Sequence, residues 1–168
     1  INLTGTYTTC SALFPHMRDN GGGSIVNVSS IASKTGGGGL GTSAYASSKA
    51  GVNGLTKCIA REGGPFNIRC NAVCPAFTNT AMTTAISEDP ARLKATLESI
   101  PLRRRAEPYE IANAILFMAS DLSSFVTGAI ADADGGPTKD GSAPAGPYPP
   151  SAVQPHMPPC RGNPFDPA

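Results

Sequence analysis

Apolar residues recur at helical spacing from the start of the chain. Leu3, Tyr7, Cys10, Phe14 and Met17 share one face, which predicts an amphipathic helix over residues 2–18. Pro15 falls in its last turn and is expected to bend it, and Asp19-Asn20-Gly-Gly-Gly23 ends it. The period then changes. Ser24-Ile-Val-Asn-Val-Ser29 is short and β-branched, so residues 24–29 read as a buried strand. The helical period returns with Val52, Leu55 and Ile59 in a helix over about 44–62, which Ser43 is placed to cap. Ala46, Ala50 and Gly54 form a second stripe of small residues there, permitting close approach of another helix. Residues 67–74 are again strand-like. Asp89 before Pro90, and Glu107 before Pro108, set a capping side chain ahead of a proline at the first helical position. These helices run to about Ser99 and Ser120, the second with Ile111, Ala114, Ile115 and Met118 facing inward. A last strand is expected over 127–133. Alternating helices and strands predict an α/β fold with a parallel sheet and right-handed crossovers.

Composition divides this picture in two. The chain of 168 residues is 40% hydrophobic, enough for a core, but its character shifts near residue 137. Ten of the 32 residues from Pro137 onward are proline, with few large apolar groups, so burial there cannot offset ordering entropy. Residues 1–136 are therefore expected to fold, and 137–168 to form a disordered or polyproline-like tail. Pro147-Tyr-Pro-Pro150 could engage an aromatic-lined groove, and a tail with no part in the fold is the alternative.

Charge and cysteine usage remove several function classes. A net charge of +1 with 15% charged residues gives no reason to expect a nucleic-acid or membrane partner. Arg103-Arg104-Arg105, the one basic cluster, reads as a solvated turn in preference to a phosphate-binding patch. The five cysteines (10, 58, 70, 74 and 160) lack CxxC spacing, and His16 and His156 lie far apart. Neither a disulfide framework nor a metal site is expected. No apolar run approaches the ~18 residues of a membrane span, and no signal-peptide pattern opens the chain, so a cytoplasmic location is expected.

The candidate chemistry lies in Tyr45-Ala-Ser-Ser-Lys49. On a helix these two residues share a face, so phenol and ammonium address the same space. A cation within ~4–6 Å favours phenolate. The pair suits general acid/base work at a carbonyl or alcohol oxygen, which a serine hydroxyl could hold. With four tyrosines in the chain, Tyr-x-x-x-Lys alone is a weak signal; its neighbours strengthen it. They are Asn2-Leu-Thr-Gly, Gly23-Ser-Ile-Val-Asn-Val-Ser-Ser30, Ile68-Arg-Cys-Asn-Ala-Val-Cys-Pro75, Ile100-Pro-Leu-Arg103, Pro108-Tyr-Glu-Ile-Ala112 and Asp134-Gly-Gly136.

In this order the blocks resemble the short-chain dehydrogenase/reductase family from Asn2 to about Gly136. The resemblance implies a three-layer, Rossmann-like parallel sheet whose N-terminal, nucleotide-docking half is missing from this chain. It implies hydride transfer between NAD or NADP and a small alcohol, ketone or aldehyde. Tyr45 would be the proton donor or acceptor. Lys49 would support it and bind the nicotinamide ribose, and Ser30 would hold the substrate oxygen. Ser29 is the alternative serine, as a strand-end residue. Asn2 would support a water-linked proton relay to Lys49, its alternative being a helix N-cap. Pro75, Thr78 and Thr80 match the segment beside the nicotinamide carboxamide, where Ala76 replaces the usual glycine and requires a negative φ. Residues 77–100 correspond to the substrate lid, with Phe77, Met82, Ile86 and Leu93 lining a pocket or packing the lid down. Gly36, Gly38 and Gly41 satisfy G-x-G-x-x-G but begin six residues past Ser30, and they read as a rim over the site instead of a phosphate cradle. A homo-oligomer, tetramer or dimer, is also implied. The alternative to an enzyme is an N-terminally truncated, non-catalytic remnant that pairs with a homologous subunit. The sheet would then present an open edge at residues 24–29.

Overall fold

The computed structural model describes residues 1–36 and 43–136. The tail at 137–168, with His156 and Cys160, lies outside the described residues, as do Gly38 and Gly41. Within them the elements follow the predicted alternation: α1 (Asn2–Asp19), β1 (Gly23–Val28), a short α2 (Ala32–Thr35), α3 (Ser43–Gly63), β2 (Ile68–Pro75), α4 (Thr84–Ser87), α5 (Pro90–Ser99), α6 (Pro108–Ala119) and β3 (Ile130–Ala133). The sheet order is β1-β2-β3 and both pairings are parallel, Gly23 opposite Ile68 and Ala72 opposite Ile130 at their starts.

Strand alternation sends successive side chains to opposite faces, and each face has its own core. On one face Ile25, Ile68 and Cys70 pack with Cys10 of α1 and Ile59 and Ala60 of α3. On the other, Val73 meets Ile111 and Met118 of α6, with Val26 and Ala131 beside them. Helix, sheet and helix make three layers, as the resemblance implies. The central β2 is buried from Cys70 to Cys74. The polar residue of that buried stretch, Asn71, is satisfied: Nδ2 donates to Val126 O at 2.8 Å, and Oδ1 accepts from Ala129 N at 3.0 Å.

Those side-chain bonds explain a shortened strand. Gly128 takes a φ of +72°, outside the strand region, so β3 starts at Ile130 and not at 127 as expected. Asn71 and the Thr127 hydroxyl, which accepts from Cys70 N at 3.1 Å, bond this stretch to β2 alongside the backbone pairs Gly128 N–Cys70 O and Ala72 N–Ala129 O. Other boundaries fall close to the sequence reading. Asp89 Oδ1 caps α5 by accepting from Ala91 N and Arg92 N, and Glu110 reaches back to Glu107 N at 2.8 Å in front of α6. Ser43 is the first helical residue of α3, so it does not occupy the capping position.

Two expectations about packing change. Ala46 of the small-residue stripe is buried, but Ala50 and Gly54 are exposed. The close helix–helix approach falls one position away, at Gly51, where a Cβ would lie 2.7 Å from Leu3 Cδ2. The arginine turn is exposed but engaged. Arg104 holds Glu110 in a two-pronged ion pair (2.7 and 2.6 Å), Arg105 donates to Ser87 Oγ, and Arg103 to Glu98 O.

β1 carries no further strand on its outer side among the described residues. A groove of ≈ 500 Å³ runs there between Gly5, Thr9, Leu13 and Met17 of α1 and the strand, and Val28 is 46% exposed. Leu3 and Tyr7 of the predicted apolar stripe are also exposed. This is the open edge expected at residues 24–29. Among the described residues, no helix is long and apolar enough to cross a membrane.

Candidate active site

The parallel strands all end on one side of the sheet, and that end collects the candidate residues. Tyr45 lies in the first turn of α3 and Lys49 one turn on. The Lys49 Nζ stands 5.8 Å from the centroid of the Tyr45 ring. Both side chains are half-buried, so neither is sealed from solvent. The ammonium donates to Val28 O, the last carbonyl of β1, at 2.8 Å. Burial pushes its pKa down, and the nearby Cys74 sulfur opposes that.

The serine pair divides its work. Ser29 is buried, and its hydroxyl donates to Lys49 O at 3.0 Å, while its N–H continues the ladder to Val73 O. It ties the end of β1 to the helix carrying Tyr45 and Lys49. Ser30 is half-buried, its Oγ accepting from Ala32 N at 3.2 Å. The next residue, Ile31, donates its N–H to Pro75 O at 3.0 Å, which brings the end of β2 alongside. Thus Ser30, Lys49 and Pro75 meet at one strand-end junction, with Tyr45 a turn away. Ligands of open α/β sheets bind at this end.

The remaining predicted residues are placed less directly. Asn2 is the first helical residue of α1, with Ile1 in the capping position, so the N-cap alternative does not hold. Its Nδ2 donates to Ser48 Oγ at 3.2 Å, and Ser48 Oγ to Tyr45 O at 2.7 Å, so Asn2 meets the outer flank of α3 and not Lys49. Thr78 is buried in the turn after β2, its hydroxyl donating to Ala76 O at 3.2 Å. Thr80 N donates to Thr83 Oγ1, whose own proton is directed at Thr78 O and Thr80 O. Positive φ outside glycine is confined to Asn67 and Arg103 among the described residues, so Ala76 meets the condition its methyl imposes. The lid residues separate: Ile86 is buried, Phe77 and Leu93 are half-buried, and Met82 is 70% exposed. Gly36, at φ +78°, closes α2 as its C-cap, a different role from the rim read for it.

Sequence reasoning missed four residues here. Asn53, one turn beyond Lys49, donates to Ser33 Oγ at 2.7 Å, and Ser33 Oγ donates to Ser30 O at 2.6 Å. The spacing of four from Lys49 was the available signal. Lys34 and Asp132 pair at 2.6 Å across 98 positions, for which the sequence offers none.

Comparison with known proteins agrees with this geometry. The family model described as Enoyl-(Acyl carrier protein) reductase matches residues 1–138. A 3alpha-hydroxysteroid dehydrogenase of Mediterraneibacter gnavus is 47% identical over 136 residues, covering 80% of this chain and 52% of that protein. Among solved structures, a 3-oxoacyl-[acyl-carrier protein] reductase of Brucella melitensis with bound NAD superposes with a TM-score of 0.73. It is 38% identical, with coverage of 81% of this chain and 48% of that one. A gluconate 5-dehydrogenase of Burkholderia cenocepacia, in complex with NADP and tartrate, gives a TM-score of 0.74 at 29% identity, with coverage of 81% and 52%. The chain spans about half the length of the curated relatives it matches. The strand-end serines, the Tyr/Lys helix and the matched length together mean that this chain belongs to the short-chain dehydrogenase/reductase family.

Proposed function

We propose that residues 1–136 form the catalytic half of a nicotinamide-dependent oxidoreductase that interconverts an alcohol and a ketone or aldehyde. The observation that carries this is the Lys49 ammonium, 5.8 Å from the Tyr45 ring and anchored on the last carbonyl of β1 beside the serine pair. Tyr45 Oη gives its proton to the substrate oxygen during reduction and takes it back during oxidation. Lys49, half-buried on the same side, stabilises the charge left on the phenol. Ser30 Oγ steadies the substrate oxygen, where a donor counts most as charge develops. Such proton transfer supplies ~10²–10⁴ in rate, and alignment of the reactants supplies much of the rest.

The residues present fit one end of the cofactor. Pro75, Thr78 and Thr80 form a hydrogen-bonded turn at the strand-end junction, and Ala76 leaves its backbone unstrained. Backbone and hydroxyl groups of this kind suit a carboxamide. A bound nicotinamide supplies or accepts the hydride. Lys49, with three donors and one used on Val28 O among the described residues, is placed to hold its ribose. Among the described residues, no glycine-rich turn leads directly from a strand into a helix N-terminus, the setting that suits a diphosphate. The bound NAD and NADP named for the two solved relatives support the cofactor class. Asn2 acts through Ser48 on the Tyr45 turn and supports the proton relay only indirectly.

Titration of NADH and NADPH fluorescence tests this reading. A saturable change, with oxidation of the cofactor in the presence of a carbonyl compound, is expected. No response up to millimolar concentration overturns it for this chain. The second reading, a non-catalytic chain that pairs with a homologous subunit, is favoured by the open outer side of β1. It predicts a stable complex with a full-length homologue by size exclusion and no fluorescence response without it.

A further inference from the structure

We infer that Asn53 is a positioning residue for Ser30, acting through Ser33; this rests on the reading of Ser30 given above. The α2 segment following Ser30 is joined to α3 by a directional chain of hydrogen bonds. Ser33 Oγ has a single proton, and at 2.6 Å it is committed to Ser30 O. Ser33 Oγ must therefore accept from Asn53, 2.7 Å away, which makes the facing atom the amide nitrogen. The amide oxygen then faces the Cys74 thiol, 3.9 Å distant and fully buried in β2. One side chain thus joins three elements: the helix of Tyr45 and Lys49, the strand ending at Pro75, and the turn of Ser30.

Polarity makes the arrangement specific. Reversing the amide would set an oxygen against a hydroxyl oxygen that has no proton to give. Ser29 Oγ bonded to Lys49 O fixes the same two elements from the other side. On the far flank, Lys34 bonded to Asp132 holds α2 to β3. With Ser29 and Asn53 as two attachment points, the Ser30 peptide is held in position and angle relative to α3.

The test uses Asn53→Asp, which keeps the shape but removes the donor, with Asn53→Ala, Ser33→Ala and the double variant. Amide hydrogen exchange is read at Ser33, Lys34, Thr35 and Gly36, whose N–H groups bond to Ser30, Ile31 and Ala32 carbonyls. Each single variant should speed their exchange about tenfold or more while the amides of α3 beyond Gly54 stay unchanged. The double variant should add little, because both substitutions cut one chain. In the same samples kcat should fall about ten- to a hundredfold, with KM for the nicotinamide cofactor unchanged. Wild-type exchange in Asn53→Asp, or additive effects in the double variant, would overturn the inference. So would altered exchange with kcat intact. If the wild-type chain shows no turnover, the proposed function fails, and the exchange data alone decide whether Asn53 holds the segment.

Discussion

The two ends of β2 are equally rich in hydrogen bonds and serve opposite ends. At the start of the strand the Arg69 guanidinium closes on Met118 O, Ser120 O, Ser123 Oγ and Val126 O, at 2.7 to 3.4 Å. The donors there are spent on fixed acceptors of α6 and the turn after it. Gly63 packs against Ile68 so closely that a Cβ would lie 2.9 Å from the isoleucine Cβ. At the finish of the strand the polar groups are Ser30 after β1 and Tyr45, Lys49 and Asn53 along α3. They remain half-buried, and the Lys49 ammonium donates to Val28 O. A guanidinium closed on four acceptors makes a joint; a half-buried ammonium beside a phenol is the proposed site.

The sharpest way to break this contrast is Tyr45→Phe, which deletes one hydroxyl at the open end. A loss of ~10²–10⁴ in kcat is expected with the urea midpoint unchanged. A variant with near wild-type turnover would refute the role proposed for the phenol. At the closed end, Arg69→Met should cost about 1–3 kcal/mol in urea unfolding, because it removes the charged donor from four acceptors at once, although each carbonyl keeps a second donor. Gly63→Ala should cost about 1–3 kcal/mol, since both the side chain and the carbonyl of Ile68 would have to shift. For either variant, normal stability with altered cofactor affinity would reverse the assignment of the two ends.

The smallest effect concerns pH. Arg104, with the Glu107 backbone, holds the Glu110 carboxyl down to about 2, from an ordinary 4.5. A depressed acid adds stability above its unfolded pKa, and this is lost as pH falls from ~4.5 toward ~2. Half-exposed Arg104 keeps the contribution small. Glu110→Gln should flatten that acid limb in thermal melts recorded across pH 2–5, and an unaltered limb would show that the pair adds nothing. Lys49 has the opposite sign. Burial lowers its pKa, so its charged state costs stability below the folded value, and that cost is removed as pH rises toward 10.5. Lys49→Met should therefore stabilise the fold near pH 7 while it abolishes turnover.

What could be read in advance depended on whether the cause was local. Asp89-Pro90 and Glu107-Pro108 announced two helix starts because capping acts over three residues. Tyr45 and Lys49 were legible because helical spacing alone puts them on one face. The start of β3 falls later than expected because Gly128 turns the chain, and Asn71, 57 positions from it, takes up Val126 O and Ala129 N. The contact of Asn2 with Ser48 had no local signal, being a matter of how α1 lies across Gly51. The open side of β1 was expected from the family resemblance, and among the described residues it appears as the groove against α1. Expressed alone, residues 1–136 should aggregate through it, and a monodisperse, soluble monomer would contradict that.

By itself the sequence determined the alternation of helix and strand, the parallel sheet and the Tyr/Lys pairing. These follow from periodicity and from interactions a few residues long. Tertiary structure alone decided which serine ties β1 to the helix of Lys49, which side chain Asn2 meets, and that Asn53 reaches Ser33. Hydrogen bonds between distant segments depend on ångström-scale distance and on which atom holds the proton, and both are set only when the layers pack together.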